Sequence, residues 1–325
     1  MSVDFSSNFN KGVEPEDYVP NTIEGMGGAI GKIAEQVIRQ FTATNPLSVF
    51  EKMPVNNGDT IEQMFIALVE SQAYDRQGLN ALTRKDPTLI VRYFNEWTPA
   101  KFHTSVDTSE IRKVLTGDKS ASDIATKIVS VLSASDTYER YETLKTLLAN
   151  AKLTEDGGTG DVADSLVRYE TVEFDETNNT IDYKKLLVAI KDAVKGMQFV
   201  NSTFNSANLK KKTSADDIYI VMPYKLKNKL DVDELAGVFN LEKTEIEGKI
   251  IEIDTDPVDD YHYVYILDRY AVLDYTRLYE MLNQLNADGR FWNYFLHVER
   301  QFGISPLFDA CYIKIGTATS ETEGE

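Results

Sequence analysis

A chain of 325 residues with 52 acidic and 34 basic side chains carries a formal charge of −18, so most of its surface repels phosphate and a conventional reader of DNA or RNA is excluded. Hydrophobic residues at 42% and aromatics at 10% are enough to bury real cores, and the length suggests roughly two domains. The single cysteine, Cys311, leaves no internal disulfide and no cysteine-rich zinc site, so packing alone must hold the fold, and a reducing compartment suits it.

Met1 to Asn10 has neither a basic region nor an apolar core, and apolar runs such as Ile218 to Met222 are too short to span a bilayer. Neither a signal peptide nor a membrane span is expected. Residues 1 to 29 are rich in Asn, Gly, Pro and acids without sustained periodicity, and read as an extended arm. Ile30, Ile33, Ala34, Val37, Ile38 and Phe41 then recur at helical spacing. Asn45 and Pro46 end that helix, because proline lacks a donor and restricts the residue before it.

From Asn56 to His103 two strand-like runs, Ile61 to Glu70 and Leu89 to Trp97, flank a polar stretch containing Asp75, Arg76, Gly78 and Pro87. This is the pattern of a long hairpin. On its return run Leu89, Val91, Tyr93 and Trp97 share one face while Arg92 and Glu96 take the other. Ser120 and Asp123 have capping-box spacing. After them Ile124, Ile128, Val131, Leu132, Ser135, Tyr138, Tyr141, Leu144 and Leu148 mark one face of a helix. Running to Leu153, it would measure about 50 Å at ~1.5 Å per residue.

Thr154 to Ser165, with Gly157, Gly158 and Gly160 among acids, is the clearest linker. Beyond it the pattern predicts a strand at Leu166 to Phe174, a helix around Tyr183 to Phe199, and strands at Ile218 to Met222, Lys249 to Ile253 and Tyr263 to Leu267. Asp231 is placed to cap a short helix between them. The chain is then expected to form a helix near Tyr275 to Leu285, a turn at Asn286 to Gly289, an aromatic run from Phe291 to Phe295 and a last strand from Phe308 to Ile315. The class is α+β, with no internal repeat.

A search for chemistry finds little. His103, His262 and His297 are far apart and lack the companions of a helical metal site. Gly25, Gly27, Gly28 and Gly31 precede Lys32, but Met26 stands where a phosphate loop needs its first glycine and Ile33 where it needs a hydroxyl, so a hinge is the better reading. Asp254, Asp256, Asp259 and Asp260 lack the glycine and glutamate of a calcium loop and read as a solvated acidic turn. Lys210, Lys211 and Lys212 read as a mobile solvated loop, with contact to phosphate or an acidic neighbour as the alternative. Cys311, in an apolar strand, reads as a small buried hydrophobe. No catalytic residue, metal ligand or cofactor site is expected.

Three segments carry a resemblance. Asn45 to Asp75 does so through its turn, its Gly58 to Glu62 stretch and its closing Tyr74 and Asp75; Asp217 to Asp254 through a strand, an LDVDELAGVFN helix and the strand after Gly248. Arg290 to Tyr312 does so through Trp292, Asn293, Tyr294, His297 and Val298. In this order they resemble the major head protein of Phi-29-type short-tailed phages, a member of the HK-97-type capsid fold. The resemblance implies an N-terminal arm and first helix at 1–44 and an extended loop with flanking strands at 45–106. It further implies a spine helix of a peripheral domain at 107–165, a mainly axial domain at 166–274, and at 275–325 a return to the peripheral domain with an acidic tail. Some relatives continue into an immunoglobulin-like domain, which is not expected after the acidic tail here, and residues 76 to 105 match weakly.

The implied function is a major capsid protein, not an enzyme. Copies would associate as hexamers and pentamers and close an icosahedral head around double-stranded DNA. The implied partners are the chain itself, a scaffolding protein and a portal, with packaged DNA contacted non-specifically and no membrane. The implied location is the virion, after synthesis in the bacterial host cytoplasm. The alternatives are an encapsulin-like shell enclosing protein cargo and, in another class, an enzyme with an unrecognised site. Ile61, Phe65, Leu89, Val91 and Trp97 are candidate inter-subunit contacts, because a lone hairpin cannot bury them. Trp292, Tyr294 and Phe295 are candidate structural anchors beside the final strand.

Overall fold

The structure, a computed structural model of the chain, describes residues 42–56, 58–69, 71, 84–107, 121–153, 166–175, 180–230, 249–254 and 263–316. The expected arm and first helix, the Ser120 capping residue, the 154–165 linker, the Asp231 cap and the acidic tail lie outside these residues. The helical run 224–230 begins ahead of Asp231.

Asn45 and Pro46 start a 3-10 turn, Pro46–Phe50, in which the Asn45 side chain accepts from the Leu47 amide at 2.9 Å. Strand β1 (Ile61–Ile66) and β2 (Leu89–Phe94) then form the expected hairpin, antiparallel with Ile61 opposite Phe94 and Ile66 opposite Leu89. β3 (Thr98–Val106) follows, and helix α1 (Ala121–Leu153) is the long helix that the periodicity predicts. Next come β4 (Val167–Asp175), β5 (Thr180–Ile181), α2 (Tyr183–Met197), β6 (Ile218–Pro223), β7 (Lys249–Ile253) and β8 (Tyr263–Asp268). β9 (Val272–Asn286), β10 (Phe291–Ile304) and β11 (Ala310–Gly316) close the chain.

The contacts divide the chain into two units. In the larger, drawn from Asn45–Thr98, Arg140–Leu278 and the chain from Glu299 onward, a six-stranded mixed sheet has the order β5-β4-β11-β8-β6-β7. Its central strands β6 and β8 are buried at every position, which requires cover on both faces. Alternation sorts the side chains. Ile218, Ile220, Val264, Ile266, Cys311 and Ile313 join the buried face of α2 in one core. Tyr219, Val221, Tyr265, Leu267 and Tyr312 face Leu47, Phe50 and the Tyr141, Leu144 and Leu148 face of α1 in the other. Asp182 caps α2 by accepting from the Lys185 amide at 3.1 Å, and Leu186, Ala189, Ile190, Ala193, Val194 and Met197 form its apolar stripe. Gly196 is required there, because a Cβ would lie 2.6 Å from the Phe204 ring.

The smaller unit takes its described core from Pro99–Glu139 and Tyr279–Val298. Leu132 of α1 packs with Leu296 and Val298 of β10, flanked by Phe102 and Tyr294. The segment 275–325 is thus split: 279–298 fall in the smaller unit, and β11 sits inside the large sheet.

One expectation is overturned here. Tyr275 to Leu285 is not a helix but most of the 15-residue strand β9. Leu278, Leu282 and Leu285 are spaced for a helix, but the segment pairs with β10 in a sheet of order β3-β10-β9. The turn between them, 287–290, is held by Asn286, whose Oδ1 accepts from the amides of Asp288 and Gly289 at 3.1 Å, and by Arg290 at φ 55. Hairpin closure and long-range hydrogen bonds override a local preference.

Candidate functional site

The expected contact residues of the hairpin fall into two groups. Ile61 is buried in the larger unit itself, and Trp97 is half-buried with the Arg277 guanidinium 4.6 Å above its ring. Phe65 and Val91 are half-buried, and Leu89 is exposed. Along the two strands the exposed apolar set is wider than expected, comprising Tyr93 near the base and Met64, Ile66, Leu68 and Val69 as well as Leu89 towards the far end, with Val69 77% exposed. Among the described residues the two strands are only partly covered, so a strand apolar at Met64 and Ile66 as well as at Phe65 leaves side chains in water. Apolar residues at consecutive positions of β1 were the readable signal for this patch, which has the character of an association surface.

The charged clusters hold elements together. Arg140 of α1 reaches the fully buried Asp274 of β9 with Nη2 2.7 Å from Oδ2, and its Nη1 lies 2.8 Å from Glu51. Burial raises the Asp274 pKa, with Arg140 pulling against it; burial works to lower that of Arg140, but its bonds to Asp274 and Glu51 hold it above the usual value. Asp254, expected in a solvated turn, keeps 56% of its side chain exposed and also accepts from the Tyr141 hydroxyl at 2.6 Å and Lys145 Nζ at 2.8 Å. Burial, reinforced by that hydrogen bond, pushes the Tyr141 pKa up to about 12.

Lys211 corrects the reading of the basic run as a solvated loop. Its Nζ lies 3.3 Å from Asp268 Oδ2 and 4.3 Å above the Phe308 ring. The Thr213 hydroxyl lies 3.0 Å from Asp268 and 2.8 Å from Asp309, and Asn205 donates to Asp309 at 3.1 Å. Two buried carboxylates gather these partners from a loop that sequence alone presents as polar. Cys311 is fully buried, and burial raises its thiol pKa well above the ordinary range. Among the described residues no group of three His, Cys, Asp or Glu could hold a metal ion.

Of the expected anchors, Tyr294 packs on the Leu132, Leu296 and Val298 cluster. Phe295 stacks on His103 at 4.6 Å and 12°, and His103 Nε2 lies 3.2 Å from Asn293 Oδ1. Trp292 is 38% exposed.

The fold is similar to that in the capsid structure of Staphylococcus phage Andhra, with TM-score 0.65, 12% identity and 87% of each chain covered. It is also similar to that of cyanophage P-SCSP1u, with TM-score 0.58, 12% identity and 89% and 92% covered. The fold is therefore of the HK-97 type that these phage capsid structures share. The Phi29-like phage major capsid protein family matches residues 7–314, and the chain belongs to that family. Among curated relatives, the major capsid protein of Bacillus phage GA-1 is 24% identical over 285 residues, 86% of this chain. That of Streptococcus phage Cp-1 is 20% identical over 299 residues, 87% of this chain and 80% of the relative. The matched region spans 58% of the GA-1 protein and 64% of that of Bacillus phage PZA.

Proposed function

We propose that this chain is the shell-forming subunit of a phage head: copies associate as hexamers and pentamers, and these close an icosahedral wall around double-stranded DNA. The observation that carries the reading is the exposed apolar end of the hairpin, Met64, Ile66, Leu68, Val69 and Leu89, on a chain of this family. Burying each such side chain under a neighbouring subunit contributes about 1.5 to 3 kcal/mol, so a few per copy drive association around a ring. The acidic balance suits a wall that confines DNA without gripping it, and contact with the genome is non-specific.

In this reading the unit holding β10 and the first half of α1 belongs to the peripheral domain, and the six-stranded sheet is the axial domain. A scaffolding protein and a portal are the further partners, the finished protein resides in the virion, and its synthesis is in the host cytoplasm. No catalysis is assigned. Family membership favours a genome shell over an encapsulin-like cargo shell.

The test replaces Met64, Ile66, Leu68, Val69 and Leu89 together by threonine, keeping the β1–β2 pairing. Circular dichroism should show a folded, soluble subunit, and sedimentation and negative-stain microscopy should show no shells. Shells of normal size would overturn the role of the hairpin, and an unfolded product would place it in the subunit's own core.

A further inference from the structure

The far half of β9 is an edge without a described partner. β9 is the last strand of its sheet, bonded to β10 on one side. On the other side its first residues are met by the chain near the 3-10 turn: Glu51 bridges Asp274, and the amides of Lys52 and Val55 donate to Asp274 and Thr276 at 2.9 and 3.0 Å. Beyond Thr276 no described backbone reaches that edge. From residue 279 to residue 285 every side chain is exposed, on both faces of the strand, among them Tyr279, Met281, Leu282 and Leu285.

Two further features say what belongs there. The segment YEMLNQLN, residues 279–286, holds one charge, Glu280, in a chain of net charge −18. Copies that repel one another over most of their surface meet most easily where that charge is absent. The segment also contains no β-branched residue, and its Glu, Met, Leu and Gln favour a helix. Pairing on one edge alone must hold it extended, and a second edge partner would complete its hydrogen bonds.

We propose that this edge pairs with the same edge of a second copy, antiparallel across a two-fold axis through Leu282. The proposal rests on the shell-forming reading. In this register Leu282 faces itself, Glu280 faces Gln284, Met281 faces Asn283 and Tyr279 faces Leu285. The one charge meets an amide that can donate to it, Leu282 covers its own counterpart, and Tyr279 and Leu285 cover each other. An isologous contact of this kind closes on itself and adds a link between rings.

Facing side chains in such a pair have Cβ atoms about 4.5 to 5.5 Å apart, within disulfide reach after small adjustment. Shells of Leu282→Cys, oxidised and run on a non-reducing gel, should give covalent dimers. Shells of Glu280→Cys, or of Val188→Cys on α2, should give none, and buried Cys311 contributes no background. Hydrogen exchange on the unaltered protein supplies an independent readout: amides of 279–285 should exchange fast in the free subunit and slowly in shells. Slow exchange already in the free subunit means that the chain covers its own edge, and fast exchange in shells means that the edge stays open; either overturns the proposal, as does a Leu282→Cys shell without dimers. Failure of the unaltered protein to assemble under any condition would instead overturn the shell-forming reading and this proposal with it.

Discussion

Arg140, midway along α1, and Asp274, near the start of β9, form a buried bidentate ion pair: Nε lies 2.9 Å and Nη2 2.7 Å from the same carboxylate oxygen. The pair lies 134 residues apart in sequence and ties α1 to the start of β9.

Removing one partner leaves a charge buried alone, which costs about 3 to 5 kcal/mol. Arg140→Met should therefore lower stability by about that amount in urea unfolding. Arg140→Met with Asp274→Asn should recover a large part of it, because no uncompensated charge remains. Equal losses in the single and double variants would mean that the pair acts through packing.

Lys52 supplies a pH test. Its Nζ donates to the Arg269 carbonyl, and burial together with the Arg269 guanidinium lowers its pKa from 10.5 to about 8. Between those values the unfolded chain binds more proton than the folded one, so the contribution of Lys52 to stability grows as pH rises from about 8 to 10.5. The melting temperature of the wild type relative to Lys52→Met should move upwards across that window. A difference that stays flat with pH would contradict the assignment.

Cys311 should be silent. Buried on a central strand with its thiol pKa raised, it should not react with a maleimide until the protein unfolds. Labelling of the native subunit at the rate of a free thiol would show that the sheet opens at β11.

In the small unit the load falls on the residues that face α1. Leu296, fully buried against Leu132, should cost about 2 to 5 kcal/mol as Leu296→Ala. Trp292, whose position in an aromatic run suggested an anchor, keeps 38% of its surface in water. Trp292→Ala should fold, with a loss of about 1 kcal/mol. Insoluble Trp292→Ala beside a soluble Leu296→Ala would reverse this assignment.

What local pattern could determine, the sequence determined. The strand runs at Ile61 to Ile66 and Leu89 to Phe94, the helix that starts at Tyr183 and the helical spacing through Leu132, Tyr141, Leu144 and Leu148 each depend on neighbours a few residues away. Three segments carried enough likeness to imply the capsid family. The tertiary structure decided whatever depends on partners far along the chain. Tyr275 to Leu285 has helical spacing and became a strand because β10 pairs with it. Lys211 sits in a polar loop and became half-buried because it meets the buried carboxylates Asp268 and Asp309. Asp254 keeps its exposure and gains Lys145 and Tyr141, which reach it from α1. In the aromatic run Trp292 and Tyr294 share one face of β10, and Tyr294 is covered by the Leu132 cluster while Trp292, next to the turn at 287–290, stays 38% exposed.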